Sequence, residues 1–106
     1  LKLNLFLNIE LKMPDSAPAG YRERFVRTVT QALQSHWPAQ RDLPLVSSFD
    51  WQLLNSVREL IPTLPVGYLS ESCTQNLLDA IIPIPNAAFH CDARALTGPL
   101  IHYAQQ

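Results

Sequence analysis

The stretch "LNLFLNIELKMPD" (residues 3–15) decides the fold of this chain. Leucine or isoleucine occupies every odd position from 3 to 11. The even positions hold, in order, Asn4, Phe6, Asn8, Glu10 and Lys12. Alternation with a period of two predicts a strand over residues 3–12, and the turn residues of "MPDSAPAG" (13–20) close it. The strand therefore has one apolar face, while its other face ends in a carboxylate and an ammonium group.

Four helices are predicted after this strand from apolar residues at helical spacing and from helix-capping residues. The residues expected in their first turns or as N-caps are, in order, Pro18, Asp50, Thr74, and Thr97 with Pro99. The residues expected to end the first three helices are Pro38, Pro62 and Pro83. Each helix follows a short apolar run, so the chain reads as a strand and a helix repeated four times.

The three later strands are predicted in "LPLVSS" (43–48), "LPVGYL" (64–69) and "NAAFH" (86–90). Gly67, inside the second of these runs, indicates a bulge or the close approach of another backbone. Strands that alternate with helices favour a parallel sheet with right-handed crossovers. Both a doubly wound sheet and a (βα)8 barrel remain open.

The one-sided first strand favours the barrel, because a central strand of a doubly wound sheet is apolar on both faces. In a barrel, the odd residues Leu5, Leu7 and Ile9 would pack under the helices. The even residues from Phe6 to Lys12 would point inward, which places Glu10 and Lys12 at the mouth where barrel active sites are built.

Size and composition exclude several classes of function. The chain has 106 residues, enough for one small domain. It carries 16% charged residues and a formal net charge of -1 without a basic stripe, so no nucleic-acid partner is expected. No apolar run is long enough for a membrane span. Cys73 and Cys91 lack C-x-x-C spacing, imply neither a disulfide framework nor a zinc site, and are expected to be ordinary small apolar residues.

The charged pair at the end of the first strand has two interpretations. Glu10 and Lys12 lie two residues apart on one strand face, so the carboxylate could hold a hard cation while the ammonium meets an anionic group of a ligand. Equally, the two side chains could form a solvated ion pair that has no chemistry. Their spacing alone leaves both interpretations open.

Four segments, in order, resemble motifs of the glycerophosphodiester phosphodiesterases. They are "NIELK" (8–12), "LVSSFD" (45–50), "LIPTLPVGYL" (60–69) and "FHCDARALT" (89–97). The resemblance implies that residues 1–106 form part of a (βα)8 barrel, its fourth to seventh βα units. It also implies hydrolysis of glycerophosphodiesters to an alcohol and glycerol 3-phosphate with a divalent cation, Mg²⁺ or Ca²⁺. By the same resemblance Glu10 binds the metal, Lys12 faces the substrate phosphate, and His90 lies near the substrate at the mouth.

The chain lacks other motifs of that family. The His-Arg-Gly strand end, the Glu-x-Asp metal pair and the His-Asp dipeptide are absent, and the general acid/base histidines belong to these segments. No catalytic residue is therefore predicted here, and the 106 residues alone are expected to be inactive. Because the sequence enters a strand pattern directly at Leu1, we expect further chain before it. The remainder of the barrel or a second copy is expected to cover the open strand edges.

Other interpretations remain. The chain could be a non-catalytic βα interaction or scaffold domain, or part of another phosphate-handling barrel enzyme, because fold does not fix function. His90 could simply be hydrogen-bonded at a strand end. Ser47, Ser48 and Phe49 could shape the pocket wall or cap the next helix, and a structural role is favoured for Ser47. Trp51 and Tyr68 could line a pocket or pack in the core. The chain has two isolated cysteines and no leader in view, and both features favour a cytoplasmic location for the protein.

Overall fold

The computed structural model describes residues 7–37, 42–95 and 97–105. In this part of the chain, strands and α-helices alternate four times, as predicted. Their bounds are β1 Asn8–Glu10, α1 Tyr21–His36, β2 Leu45–Ser48, α2 Trp51–Leu60, β3 Val66–Ser70, α3 Gln75–Ile81, β4 Ala87–Cys91 and α4 Gly98–Ala104. A 3-10 turn, Ala93–Ala95, follows β4.

The four strands form one parallel sheet in the order β1-β2-β3-β4. One registered row crosses the whole sheet, in which Glu10 pairs with Ser47, Ser47 with Gly67, and Gly67 with Ala88. Each helical connection leads to the adjacent strand, and each new strand is added on the same side of the previous one. Right-handed crossovers of this kind place all of the crossover helices on the same face of the sheet.

The hydrophobic core lies between that face and the helices. Its sheet residues come from one side of the strands, and its helical residues come from α1, α2 and α3. Helix α2 is central, because its Leu53, Leu54 and Val57 are fully buried and the helix contacts both β2 and β3. The buried core residues of the strands and helices are Val26, Leu33, Val46, Leu53, Leu54, Val57, Val66, Tyr68 and Ile81, and Leu11, just after β1, joins them.

The opposite face of the sheet carries Asn8, Glu10, Ser47, Gly67 and His90. Among the described residues, no helix packs against this face, which we call the open face. Ser47 is nevertheless only 1% exposed because it lies on a central strand, whereas Asn8, Glu10 and His90 at the edges are exposed. The fold is thus an α/β layer with one covered and one open sheet face.

The first strand differs from its prediction in length and packing. Leu5, Phe6 and the rest of positions 3–6 lie outside the described residues. Ile9 and Leu11 pack against the core as expected, but Leu7 is 47% exposed. Leu7 precedes the start of the edge strand. The next apolar residue of the alternating series, Ile9, packs against the core that the helices cover.

The helix starts follow local capping chemistry. Asp50, Thr74 and Thr97 are the predicted N-caps, and each side chain accepts the backbone N–H three residues later. The prediction for Pro18 is wrong, because α1 begins at Tyr21 after Gly20. Gly20 has a φ of 81°, a left-handed conformation that glycine adopts without steric cost. None of the described helices has the length and apolar character needed to cross a bilayer.

One ion pair links the first two helices. Asp50 caps α2 by accepting from the Leu53 N–H at 3.0 Å. It also accepts two hydrogen bonds from the Arg22 guanidinium of α1, at 2.9 and 2.8 Å. The bond from Arg22 is the main reason that the pKa of Asp50 is lowered, and the Leu53 N–H adds to the effect. Asp50 therefore joins the carboxyl end of β2 to two helices.

We expect Asp50→Ala to lower the free energy of unfolding by about 1–2 kcal/mol at pH 7, because both the cap and the ion pair are lost. Asp50→Asn keeps a good N-cap and should cost less than about 1 kcal/mol, because the pair is partly exposed. Urea denaturation measures both values.

The cost of Asp50→Asn should depend on pH. Because the folded-state pKa is lowered, the ionic contribution is complete above the unfolded pKa of about 3.9 and disappears as the pH falls through the folded-state value. The wild type and Asp50→Asn should therefore converge in acid. A difference that stays constant between neutral and acid pH would contradict this account of the pair.

Candidate functional site

Two neighbouring clefts lie at the carboxyl ends of the strands, the edge of a parallel sheet at which ligands bind. The first, with a volume of about 760 Å³, is lined by Glu10, Leu11, Lys12, Met13, Pro14, Asp15, Ser48, Phe49, Asp50 and Trp51. The second, of about 410 Å³, is lined by Phe49, Trp51, Leu69, Ser70, Glu71, Ser72 and Leu77. Phe49 and Trp51 belong to both, so we refer to the two clefts together as the mouth.

Ser48 fixes the geometry of the first cleft. Its Oγ donates to the Leu11 carbonyl at 2.6 Å and accepts from the Asp50 N–H at 3.0 Å. The hydroxyl is buried, so these two bonds satisfy a group that would otherwise be costly to bury. Ser48 thereby holds the segment after β1 against the turn that begins α2.

Trp51 forms the wall between the two clefts. Its indole Nε1 donates to the Leu69 carbonyl at 2.9 Å, and its ring makes edge-to-face contacts with Tyr68 and Phe89. Tyr68 is 2% exposed, and its hydroxyl donates to Asn55 Oδ1 at 2.7 Å. Tyr68 is therefore a packing residue, whereas Trp51 both packs and lines the mouth.

Glu10 and Lys12 come together in the first cleft, as their spacing predicts. Lys12 Nζ lies 3.7 Å from Glu10 Oε2. The Lys12 side chain is 81% exposed and that of Glu10 is 38% exposed. An ion pair this open to water contributes little to stability. Each side chain can therefore leave the other and bind a ligand instead at small cost.

His90 stands apart from that pair. It lies on β4 and pairs in register with Leu69, whereas Glu10 lies on β1. Three strand spacings of about 4.8 Å separate β1 from β4. His90 does not line either cleft of the mouth. The structure therefore places all three predicted residues on or beside the open face without bringing His90 to the charged pair.

The open face beside His90 depends on a glycine, Gly67. The pairing through Gly67 is continuous, so the predicted bulge is absent from β3. A Cβ on Gly67 would lie 3.2 Å from Ser47 Cβ and 3.2 Å from His90 Cδ2. The prediction of another backbone close to Gly67 is therefore wrong, because the atoms nearest to its Cβ position belong to side chains. Ser47 also donates to Asn8 Oδ1 at 3.0 Å, which is a structural role.

The described residues do not suffice for a divalent cation. Nowhere in residues 7–37, 42–95 and 97–105 do three His, Cys, Asp or Glu side chains come together as ligands. Glu10 supplies one carboxylate, whereas Ca²⁺ takes six to eight oxygen ligands. We therefore assign no chemical step through a metal to these residues alone.

Sequence reasoning left the roles of Ser48 and Phe49 open between shaping the pocket wall and capping the next helix. Phe49 is 58% exposed between the clefts, although aromatic side chains usually lose such exposure on folding. Ser48 joins two loops, whereas its neighbour Ser47 lies on the open face. The alternation of "LVSSFD" could have separated them, because it puts Ser47 on the open face and Ser48 toward the helices.

Comparison with known proteins adds no relative to this picture, since no family model, curated protein or solved structure matches the chain.

We expect Gly67→Ala to destabilise the fold by about 1–3 kcal/mol, because the new methyl group overpacks the space beside Ser47 and His90. The His90 ring is exposed and should move, whereas Ser47 Cβ is fixed to the central strand. Urea denaturation and the imidazole signals of His90 in NMR spectra measure the two effects.

Gly98→Ala is the matched control, because nothing lies within 4 Å of a Cβ at Gly98. It should change stability by less than about 0.5 kcal/mol and leave the His90 signals in place. Equal effects of the two substitutions would show that Gly67 is not tightly packed.

Proposed function

We propose that these residues are part of a glycerophosphodiester phosphodiesterase, a phosphoric diester hydrolase built on a (βα)8 barrel. In this proposal β1 to β4 are four consecutive barrel strands, and the open face is part of the barrel interior. Glu10 is one ligand of a divalent cation, Mg²⁺ or Ca²⁺. Lys12 faces the substrate phosphate, and His90 contacts the substrate further along the sheet.

One observation supports the proposal most. The parallel sheet has its strands in sequential order and its helices on one face, and the opposite face bears polar side chains toward the carboxyl ends. That combination is expected for consecutive units of a barrel, in which the interior side chains meet one another and not a second helical layer. The resemblance of "NIELK" to the family's central strand then gives Glu10 and Lys12 their roles.

The chemistry attributed to this part of the enzyme is binding. The Lys12 ammonium can donate charge-assisted hydrogen bonds to phosphoryl oxygens. Phe49, exposed at the centre of the mouth, offers an apolar surface to a ligand beside the phosphate. A divalent cation would neutralise charge that develops on the phosphoryl oxygens. Proton transfer would require the acid/base histidines of the family's His-Arg-Gly and His-Asp motifs, and this sequence does not contain those motifs.

A second candidate function is a non-catalytic βα interaction or scaffold domain. It is favoured by the Glu10–Lys12 contact itself, since an exposed pair at 3.7 Å is also what a solvated strand end gives. In that case a phosphate compound would show no preference for Lys12.

We expect glycerol 3-phosphate to bind the chain weakly, with a Kd on the order of 1 mM, and to shift NMR signals around Lys12. Lys12→Gln should raise the Kd at least about five-fold, because one charge-assisted hydrogen bond is lost. Titration followed by NMR measures both values.

Arg27→Gln is the charge-matched control, since it removes one positive charge from the exposed side of α1. It should leave the Kd within about two-fold of the wild type at moderate salt, where long-range charge is screened. Equal weakening by Lys12→Gln and Arg27→Gln would indicate nonspecific attraction and favour the scaffold function.

The purified chain should not hydrolyse glycerophosphocholine above the rate of buffer, with or without Mg²⁺ or Ca²⁺, because it lacks the acid/base histidines. Release of choline measures the rate. Turnover comparable with that of a complete phosphodiesterase would contradict the proposal that these residues are only part of the catalytic unit.

A complete barrel has no free strand edges, so the proposal requires a cover for β1 and β4. The missing units of the barrel or a second copy of this chain would provide it. A chain that elutes as a monomer in size-exclusion chromatography would exclude the second copy and leave the first.

A further inference from the structure

The two cysteines of the chain are 18 positions apart in sequence but become neighbours in the fold. Cys91 is the last residue of β4 and pairs in register with Ser70, the last residue of β3. After Ser70 the chain turns tightly, with the Ser72 N–H donating to Ser70 Oγ at 3.2 Å. Cys73 follows that turn directly, so it stays beside the end of the neighbouring strand.

Both thiols face the same apolar groove on the helix side of the sheet. This groove has a volume of about 610 Å³ and lies between β4, α3 and α4. Cys73 is 8% exposed and Cys91 is half-buried. Burial, and then the neighbouring Cys91, raise the pKa of the Cys73 thiol. Both cysteines are free thiols in the described part of the chain.

The sequence suggests that the two cysteines pack as ordinary small apolar residues. Such packing does not require them to lie side by side. The chain has only two cysteines, and each could fill its space as well beside an aliphatic neighbour. Cys73 and Cys91 line the same groove at the ends of adjacent strands. A disulfide requires the two Cβ atoms to approach to about 4 Å, and this placement puts both residues at the same end of the sheet.

We propose that Cys73 and Cys91 form a reversible disulfide that ties the turn after β3 to the end of β4. This modification site does not depend on the proposed hydrolase function. The bridge would enclose the whole of α3 and its cap Thr74. It would also fix the Ser70–Ser72 turn, which lines the second cleft of the mouth.

The oxidant we name is glutathione disulfide. The Cys91 thiolate, on the more accessible residue, attacks one sulfur of glutathione disulfide and releases one glutathione thiolate. The Cys73 thiolate then attacks the Cys91 sulfur of the mixed disulfide and releases the second glutathione. One protein S–S bond is formed and one glutathione S–S bond is broken, and the two protein thiol protons end on the two glutathione molecules.

The test is thiol–disulfide equilibrium of the full chain in defined mixtures of reduced and oxidised glutathione, in buffer and in denaturing urea. If the fold holds the sulfurs in bridging geometry, the equilibrium constant for the bridge should be at least about ten-fold larger in buffer than in urea. The oxidised chain should also melt about 5 °C or more above the reduced chain. Intact mass and thiol titration measure the bridged fraction.

Cys91→Ser should give no bridge within the chain and no gain in melting temperature. Because a hydroxyl in the buried position of Cys73 could prevent folding, Cys73→Ala replaces Cys73→Ser as the second variant, with the same expectation. An equilibrium constant in buffer equal to or below that in urea would overturn the proposal. So would oxidation that joins separate chains at low protein concentration.

Discussion

The right-handed crossover is the constraint on which this structure depends. Because each strand is added on the same side of the previous one, the crossover helices must all lie on one face of the sheet. The core forms there, around α2, and the other face is left to side chains such as Glu10, Ser47 and His90. The division into a stabilising face and an available face therefore follows from topology, before any individual residue is considered.

The carboxyl edge is joined to the rest of the fold by polar contacts of Ser48, Asp50 and Trp51. Ser48 links the segment after β1 to the start of α2, and Asp50 links the same helix to Arg22 of α1. Trp51, in the next position, donates to the β3 backbone. Three of four consecutive residues thus fasten the mouth to the core, while Phe49 among them remains in solvent.

The sequence predicted the elements whose signals are local. Helix caps such as Thr74 act within one turn, and the alternation of β1 puts Glu10 and Lys12 in one cleft. Pro18 was misplaced because Gly20 provides a left-handed start that competes with proline in the first turn. Contacts between strands could not be predicted, because register decides them. Gly67 beside His90 and Cys73 beside Cys91 both depend on how β3 pairs with β4.

The position of Trp51 has a spectroscopic consequence. Its indole lines both clefts and is held by a hydrogen bond to Leu69 and by contact with two aromatic rings. The chain has one other tryptophan, Trp37, which follows α1 and donates to the Asp42 carbonyl. Replacement of Trp37 by phenylalanine would leave a single tryptophan, whose fluorescence reports directly on what enters the mouth.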